Sequence, residues 1–125
     1  MKKKHIAASV IAILLIIMMV WIYDNIFIIE VERKSLAEGA ASGDVAKVTS
    51  ALDKKPQLLN KPGEDGRTLL HIAAVQGHTP VVKLLVERGA DLNVKTADGK
   101  TPLKIALESG KTELAEYLKS KGAKE

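Results

Sequence analysis

The chain has 125 residues and a formal net charge of +4, with 46% hydrophobic but only 3% aromatic residues, so its core must be built from Leu, Ile, Val and Ala. It has no cysteine, which excludes disulfides, thiolate chemistry and Cys-ligated zinc. Lys2, Lys3 and Lys4 supply three of the positive charges, and from Lys34 onward fifteen basic and twelve acidic side chains form no basic block; the basic stripe of a nucleic-acid binder is missing.

The first element begins directly after the lysine cluster. Residues 1–5 read as a basic N-terminus, and Ile6 to Tyr23 as an eighteen-residue run without a charge. A helix of that length covers roughly 27 Å, close to the thickness of a bilayer's hydrocarbon layer. Trp21 and Tyr23 stand at its far end, where amphipathic rings favour the headgroups. The remaining chain is too small to wrap such a helix in a soluble core. A cleaved signal peptide is the competing reading, but it needs a small-x-small site. Here bulky Trp21, Ile22, Tyr23, Ile26 and Phe27 follow instead. An uncleaved signal anchor is therefore expected. Lysines before the run and Asp24, Glu30 and Glu32 after it place the N-terminus in the cytoplasm and the rest outside, by the positive-inside rule. A bacterial inner membrane facing the periplasm suits this compact chain, with export after signal-peptide cleavage as the alternative. Ala8 and Ala12 make a small-x-x-x-small pair, which lipid-facing alanines also explain.

Residues 24–33 are a juxtamembrane linker. "IFIIEVER" has β-branched character, yet Ile22, Ile26 and Ile29 keep a helical spacing toward Arg33, Leu36 and Ala40. A helix running on into the first soluble helix, with or without a break, is expected.

From residue 34 the chain repeats itself. "DGRTLLHIAAVQGHTPVVKLLVERGA", starting at Asp65, returns thirty-three residues later as "DGKTPLKIALESGKTELAEYLKSKGA". Each copy parses as turn, short helix, turn, longer helix, turn. Thr68 and Thr101 suit helix N-caps, with Pro102 at the first helical position. Leu70, Ala73 and Ala74, then Leu103, Ala106 and Leu107, mark one packed face, and Gly77 and Gly110 close these helices. The second helices open similarly at Thr79-Pro80 and Thr112 and stop at Gly89 and Gly122. They carry Val81, Val82, Leu84 and Leu85, and Leu114, Ala115, Tyr117 and Leu118. Helices this short do not stand alone in water, so each repeat needs a neighbour.

This pattern resembles the ankyrin repeat. Gly66, Thr68, Leu70, His71, Ala73, Ala74, Gly77, His78, Val82, Leu84, Leu85, Gly89, Ala90 and Asn93 match it, as do Gly99, Thr101, Pro102, Leu103, Ala106, Gly110, Leu118, Gly122 and Ala123. Leu69, Lys104 and Leu107 depart from the family's usual proline, histidine and alanine. A degenerate first copy aligns Leu36 with Leu70, Ala40 with Ala74, Gly43 with Gly77, Val48 with Val82 and Asn60 with Asn93, with one additional residue near Lys55-Pro56. The expected fold is all-α: an ankyrin repeat solenoid over residues 34–125 behind one N-terminal transmembrane helix. Its repeats would cover residues 34–65, 66–98 and 99–125, the last with a polar outer surface suited to capping.

The resemblance implies protein recognition by hairpin tips and inner-helix ends. On this chain those positions are Glu64, Asp65, Arg67, Val75, Gln76, Lys95, Ala97, Asp98, Lys100, Glu108 and Ser109, with Ala41 and Ser42 extending the row. A solvated charged surface explains any single one of them equally well. His71 and His78 fall on the family's structural histidines, and two histidines seven apart without cysteine do not make a zinc site. No nucleophile–base pair, phosphate loop or paired carboxylates stand out. No catalytic residue, metal or cofactor is expected. The partner would be another protein, held by a membrane-anchored module. In the alternative, a structural subunit acts through its membrane helix and uses the stack as a rigid spacer.

Overall fold

The computed structural model describes residues 2–125, with side chains from His5 onward. Six α-helices are present among the described residues, and no strand: α1 Lys2–Ser42, α2 Val45–Lys54, α3 Leu69–Gln76, α4 Thr79–Glu87, α5 Pro102–Glu108 and α6 Thr112–Ser120. A short 3₁₀ turn, Pro56–Leu58, falls where the first repeat carries its additional residue. The chain divides into two compact units, Met1–Arg33 and Lys34–Glu125.

In the first unit, α1 runs through the juxtamembrane residues without a break. Its apolar side chains from Ile6 to Tyr23 are all solvent-exposed, as are Ile26, Phe27, Ile28 and Val31. The helix is long and apolar enough to cross a membrane, and none of its apolar window is buried by protein. The side chains of Lys2, Lys3 and Lys4, on which the orientation reading rests, lie outside the described residues.

In the second unit short helices are held by neighbours. α3 packs on α4 and α5, α5 on α6, and α2 on α4. Leu36, Val48, Leu70, Val82, Leu85, Leu103, Leu114 and Leu118 are almost wholly buried. Close approach of the repeats is permitted by small side chains at one recurring position, where Ala73 and Ala106 are inaccessible to solvent. Gly39 holds the same place in the first repeat, and a Cβ there would meet the Val48 side chain at 3.3 Å.

Helix ends explain the register. Thr68 and His71 form a capping box at the start of α3, and Thr101 accepts the Lys104 N–H at 3.2 Å at the start of α5. Asp44 caps α2 through the Lys47 N–H at 3.0 Å. At the far end of α3, Gly77 takes a left-handed φ of 73°, while His78 N–H reaches the Ala73 carbonyl and Gly77 N–H the Ala74 carbonyl. This Schellman arrangement satisfies carbonyls that the helix leaves unpaired.

Two expectations change. α4 and α6 are not capped by Thr79 and Thr112, which are their first helical residues; His78 and Lys111 occupy the cap positions without a side-chain cap bond. The chain leaves the preceding glycine and enters the helix within one residue, which places the threonine inside. Leu107 is not on the packed face: it is 39% exposed, and Pro102 and Ile105 are buried instead. Its aligned residue Ala74 is covered within the stack, whereas no described repeat covers Leu107.

Candidate protein-binding surface

Ahead of α3 and again ahead of α5 the connecting turns form repeated hairpins. Gly63 N–H donates to the Arg67 carbonyl, and thirty-three residues on Thr96 N–H donates to the Lys100 carbonyl, both at 2.9 Å. The two hairpins are joined by Ala97 N–H donating to the Asp65 carbonyl at 3.0 Å. Gly66 makes that approach possible. A Cβ there would lie 2.8 Å from the Ala97 nitrogen, and its φ of 75° belongs to glycine.

His71 locks the hairpin to the helix. Its Nδ1 accepts the Thr68 N–H at 3.1 Å, so its proton is on Nε2, which donates to the Lys100 carbonyl at 3.1 Å. Burial disfavours the imidazolium and lowers the His71 pKa below 6.5, outweighing the raising effect of the Lys100 bond. His78 makes the corresponding link to the first repeat, its Nε2 donating to the Ala41 carbonyl at 2.8 Å. Asn60 and Asn93 add a third, accepting the N–H groups of Asp91 and Lys124 at 2.8 and 2.9 Å. Both motif histidines are thus structural ties between repeats.

Beside these ties lies an open groove of about 230 Å³. Six of the expected residues line it: Arg67, Val75, Asp98, Lys100, Glu108 and Ser109. Thr96 and Ile105 complete the lining and were not expected from the sequence. Ile105 is the thirty-three-residue counterpart of Ile72, a signal that the family match alone does not emphasise. Glu64, Asp65, Gln76, Lys95 and Ala97 are exposed but do not line the groove. Ala41 spends its carbonyl on His78, and Ser42 donates to the Gly39 carbonyl.

The charges are already arranged in pairs. Lys100 Nζ lies 2.7 Å from Glu108 Oε2, and Arg67 Nε lies 3.4 Å from Asp65 Oδ2. The bond to Glu108 raises the Lys100 pKa, and the same bond lowers that of Glu108. Both pairs are exposed, so they orient side chains more than they stabilise the fold. The result is a shallow polar groove of mixed sign with an apolar floor at Val75 and Ile105. A second depression of about 310 Å³, lined by residues including Gly77, Lys111 and Leu114, holds none of the expected residues.

Comparison with known proteins places this geometry. The family model for ankyrin repeats matches three copies over residues 36–125. The chain belongs to the ankyrin repeat family. Ankyrin repeats are protein–protein interaction modules. Similar curated proteins include human NAD-capped RNA hydrolase NUDT12, 46% identical over 55 residues that make up 44% of this chain and 12% of that protein. The Arabidopsis thaliana serine/threonine-protein kinase VIK is 41% identical over 56 residues, 45% of this chain and 13% of the kinase. Mouse ankyrin repeat and SAM domain-containing protein 6 is 38% identical over 64 residues, 51% of this chain and 7% of that protein. The chain therefore matches a small fraction of these relatives, and the activities in their names are statements about those proteins.

Proposed function

We propose that this chain is a non-enzymatic, membrane-anchored recognition module. Its ankyrin stack holds another protein, and the apolar part of α1 retains it at a membrane with the N-terminus in the cytoplasm and the stack on the opposite side. The groove lined by Arg67, Val75, Lys100 and Glu108 carries this reading. It offers paired charges around an apolar floor, a surface that orients a protein partner through its charge pattern. Membrane attachment compensates for a small contact area by raising effective concentration.

Replacing Arg67 and Lys100 together by Glu tests the assignment. The variant sets like charges beside Asp65 and Glu108 at exposed positions, so the stack stays folded while in-membrane photocrosslinking from a probe at Gln76 loses its protein adduct. Lys119→Glu with Lys124→Glu is the control and keeps the adduct. Lys121 is unsuitable for that control because its ammonium lies 5.7 Å from the Tyr117 ring centre. Loss of the adduct in the control alone would move the partner to the end of the stack. Topology is checked with a reporter fused after Glu125 that is active only outside the cytoplasm.

A further inference from the structure

The apolar surface of α1 does not stop at Tyr23. Ile26, Phe27, Ile28 and Val31 follow with 47–60% of their surface exposed. At 100° per residue these four span about 200° of the helix, wider than one stripe, and half-buried Ile29 lies in the remaining sector. A helix apolar all round is matched to lipid; a helix laid on a protein surface would keep a polar face. From Ile6 to Ile29 run twenty-four residues, among which Asp24 is the single charged side chain. At about 1.5 Å per residue they cover roughly 36 Å, which a tilt within the usual range fits to a hydrocarbon layer of about 30 Å.

The two adjacent polar side chains near the far end of this band, Asp24 and Asn25, behave differently. Asn25 folds back and donates through Nδ2 to the Trp21 carbonyl at 2.8 Å, so its amide is engaged by its own helix. Asp24 is exposed and makes no hydrogen bond or ion pair with any described residue. It sits on the same side of the helix as Val20 and Ile28, four residues before and after it, with Val31 a further turn on. Arg33, the first cation downstream, is held by Glu30 at 2.8 Å. An isolated carboxylate within an apolar band calls for a cation there, and intramembrane acids are characteristically functional.

Resting on the membrane reading above, we propose that the lipid-embedded band extends from Ile6 to Ile29 and that Asp24 within it is a docking carboxylate for a partner membrane helix bearing one Lys or Arg. Val20, Ile28 and Val31 would pack against the apolar residues on either side of that cation. A second parallel copy of this chain is disfavoured as the occupant, because it would set Asp24 against Asp24.

The chain's single tryptophan, Trp21, reports on both parts of the proposal. The full-length protein is reconstituted into phosphatidylcholine vesicles with lipids brominated near the headgroup or deep in the acyl chain. Deep bromines should quench Trp21 more strongly. Stronger quenching by the shallow lipid would place the membrane boundary at Tyr23 and overturn the extended band. Quenching by neither would instead defeat the membrane reading itself. In the same vesicles, a dansyl-labelled Leu/Ala helix carrying one lysine at the depth of Asp24 should receive energy from Trp21 several-fold more efficiently than its lysine-free twin. Asp24→Asn should remove that difference without changing the circular dichroism spectrum. Equal transfer to both helices, or transfer unaffected by Asp24→Asn, would overturn the docking role.

Discussion

In the middle repeat His71 is wholly buried and donates to the Lys100 carbonyl, whereas its counterpart in the last repeat, Lys104, is exposed. Ala74 is inaccessible to solvent and Leu107, at the same place one period later, is 39% exposed. A Cβ on Gly66 would strike the backbone of the next hairpin, while one on Gly99 would meet nothing within 4 Å. The two repeats follow the same pattern of residues, but a consensus residue is physically required only where another repeat lies against it. Where no described repeat lies against it, the departures from the family pattern at Lys104 and Leu107 cost little.

The largest test of this contrast is at the hairpin glycines. Gly66→Ala combines a left-handed φ with a 2.8 Å approach to the Ala97 nitrogen, which is backbone and cannot swing away. It should lower the stability of the stack by more than about 2 kcal/mol. Gly99→Ala carries the φ penalty alone and should cost about 1 kcal/mol. Denaturant midpoints followed by circular dichroism measure both. Equal effects would mean that the hairpins do not pack as described.

Ala74→Leu against Leu107→Ala comes next. The first puts three carbons into a filled junction and should cost about 1–3 kcal/mol. The second trims a partly exposed side chain and should stay within about 0.5 kcal/mol. A severe loss from Leu107→Ala would show that something covers that end of the stack.

These pairs also show how far the sequence could be read. The thirty-three-residue period, the glycine stops and the small Ala73 and Ala74 positions announced the stack because each is a local backbone or volume requirement repeated in register. Leu107 misled, since hydrophobicity at a helical spacing records the repeat and not whether a neighbour is present. Thr79 and Thr112 misled for a related reason: a threonine before a helix looks like a cap, but the tight exit from a glycine decides which residue takes that position. Of the groove, Arg67, Lys100 and Glu108 were legible as exposed positions, while their pairing with Asp65 and with each other depends on side-chain conformations that spacing does not encode. Ile105 was hidden because its burial comes from neighbouring elements.

A smaller effect is expected from pH. With its folded pKa lowered by burial, His71 takes up a proton less readily in the folded chain than in the unfolded one. Stability from this group is complete above the unfolded pKa near 6.5 and falls as the pH drops from there toward the folded value. Protonation of Nδ1 would also set an N–H against the Thr68 N–H that it now accepts. Unfolding midpoints should therefore decline as the pH falls below about 6.5, and His71→Gln should flatten that part of the profile while lowering stability at neutral pH.

The smallest effect should come from restoring the family's histidine at the last repeat. In Lys104→His the new ring can accept the Thr101 N–H through Nδ1, as His71 does with Thr68. No described hairpin offers Nε2 a carbonyl, and residue 104 is exposed where residue 71 is not. A bond made at a solvated site adds less than about 1 kcal/mol. The ring at position 104 should titrate near the unperturbed value of about 6.5, while His71 in the same molecule titrates lower. Two-dimensional NMR of the imidazole protons across a pH series separates the rings. If the ring at 104 titrated as low as His71, the last repeat would be as buried as the middle one, and the difference between them would vanish.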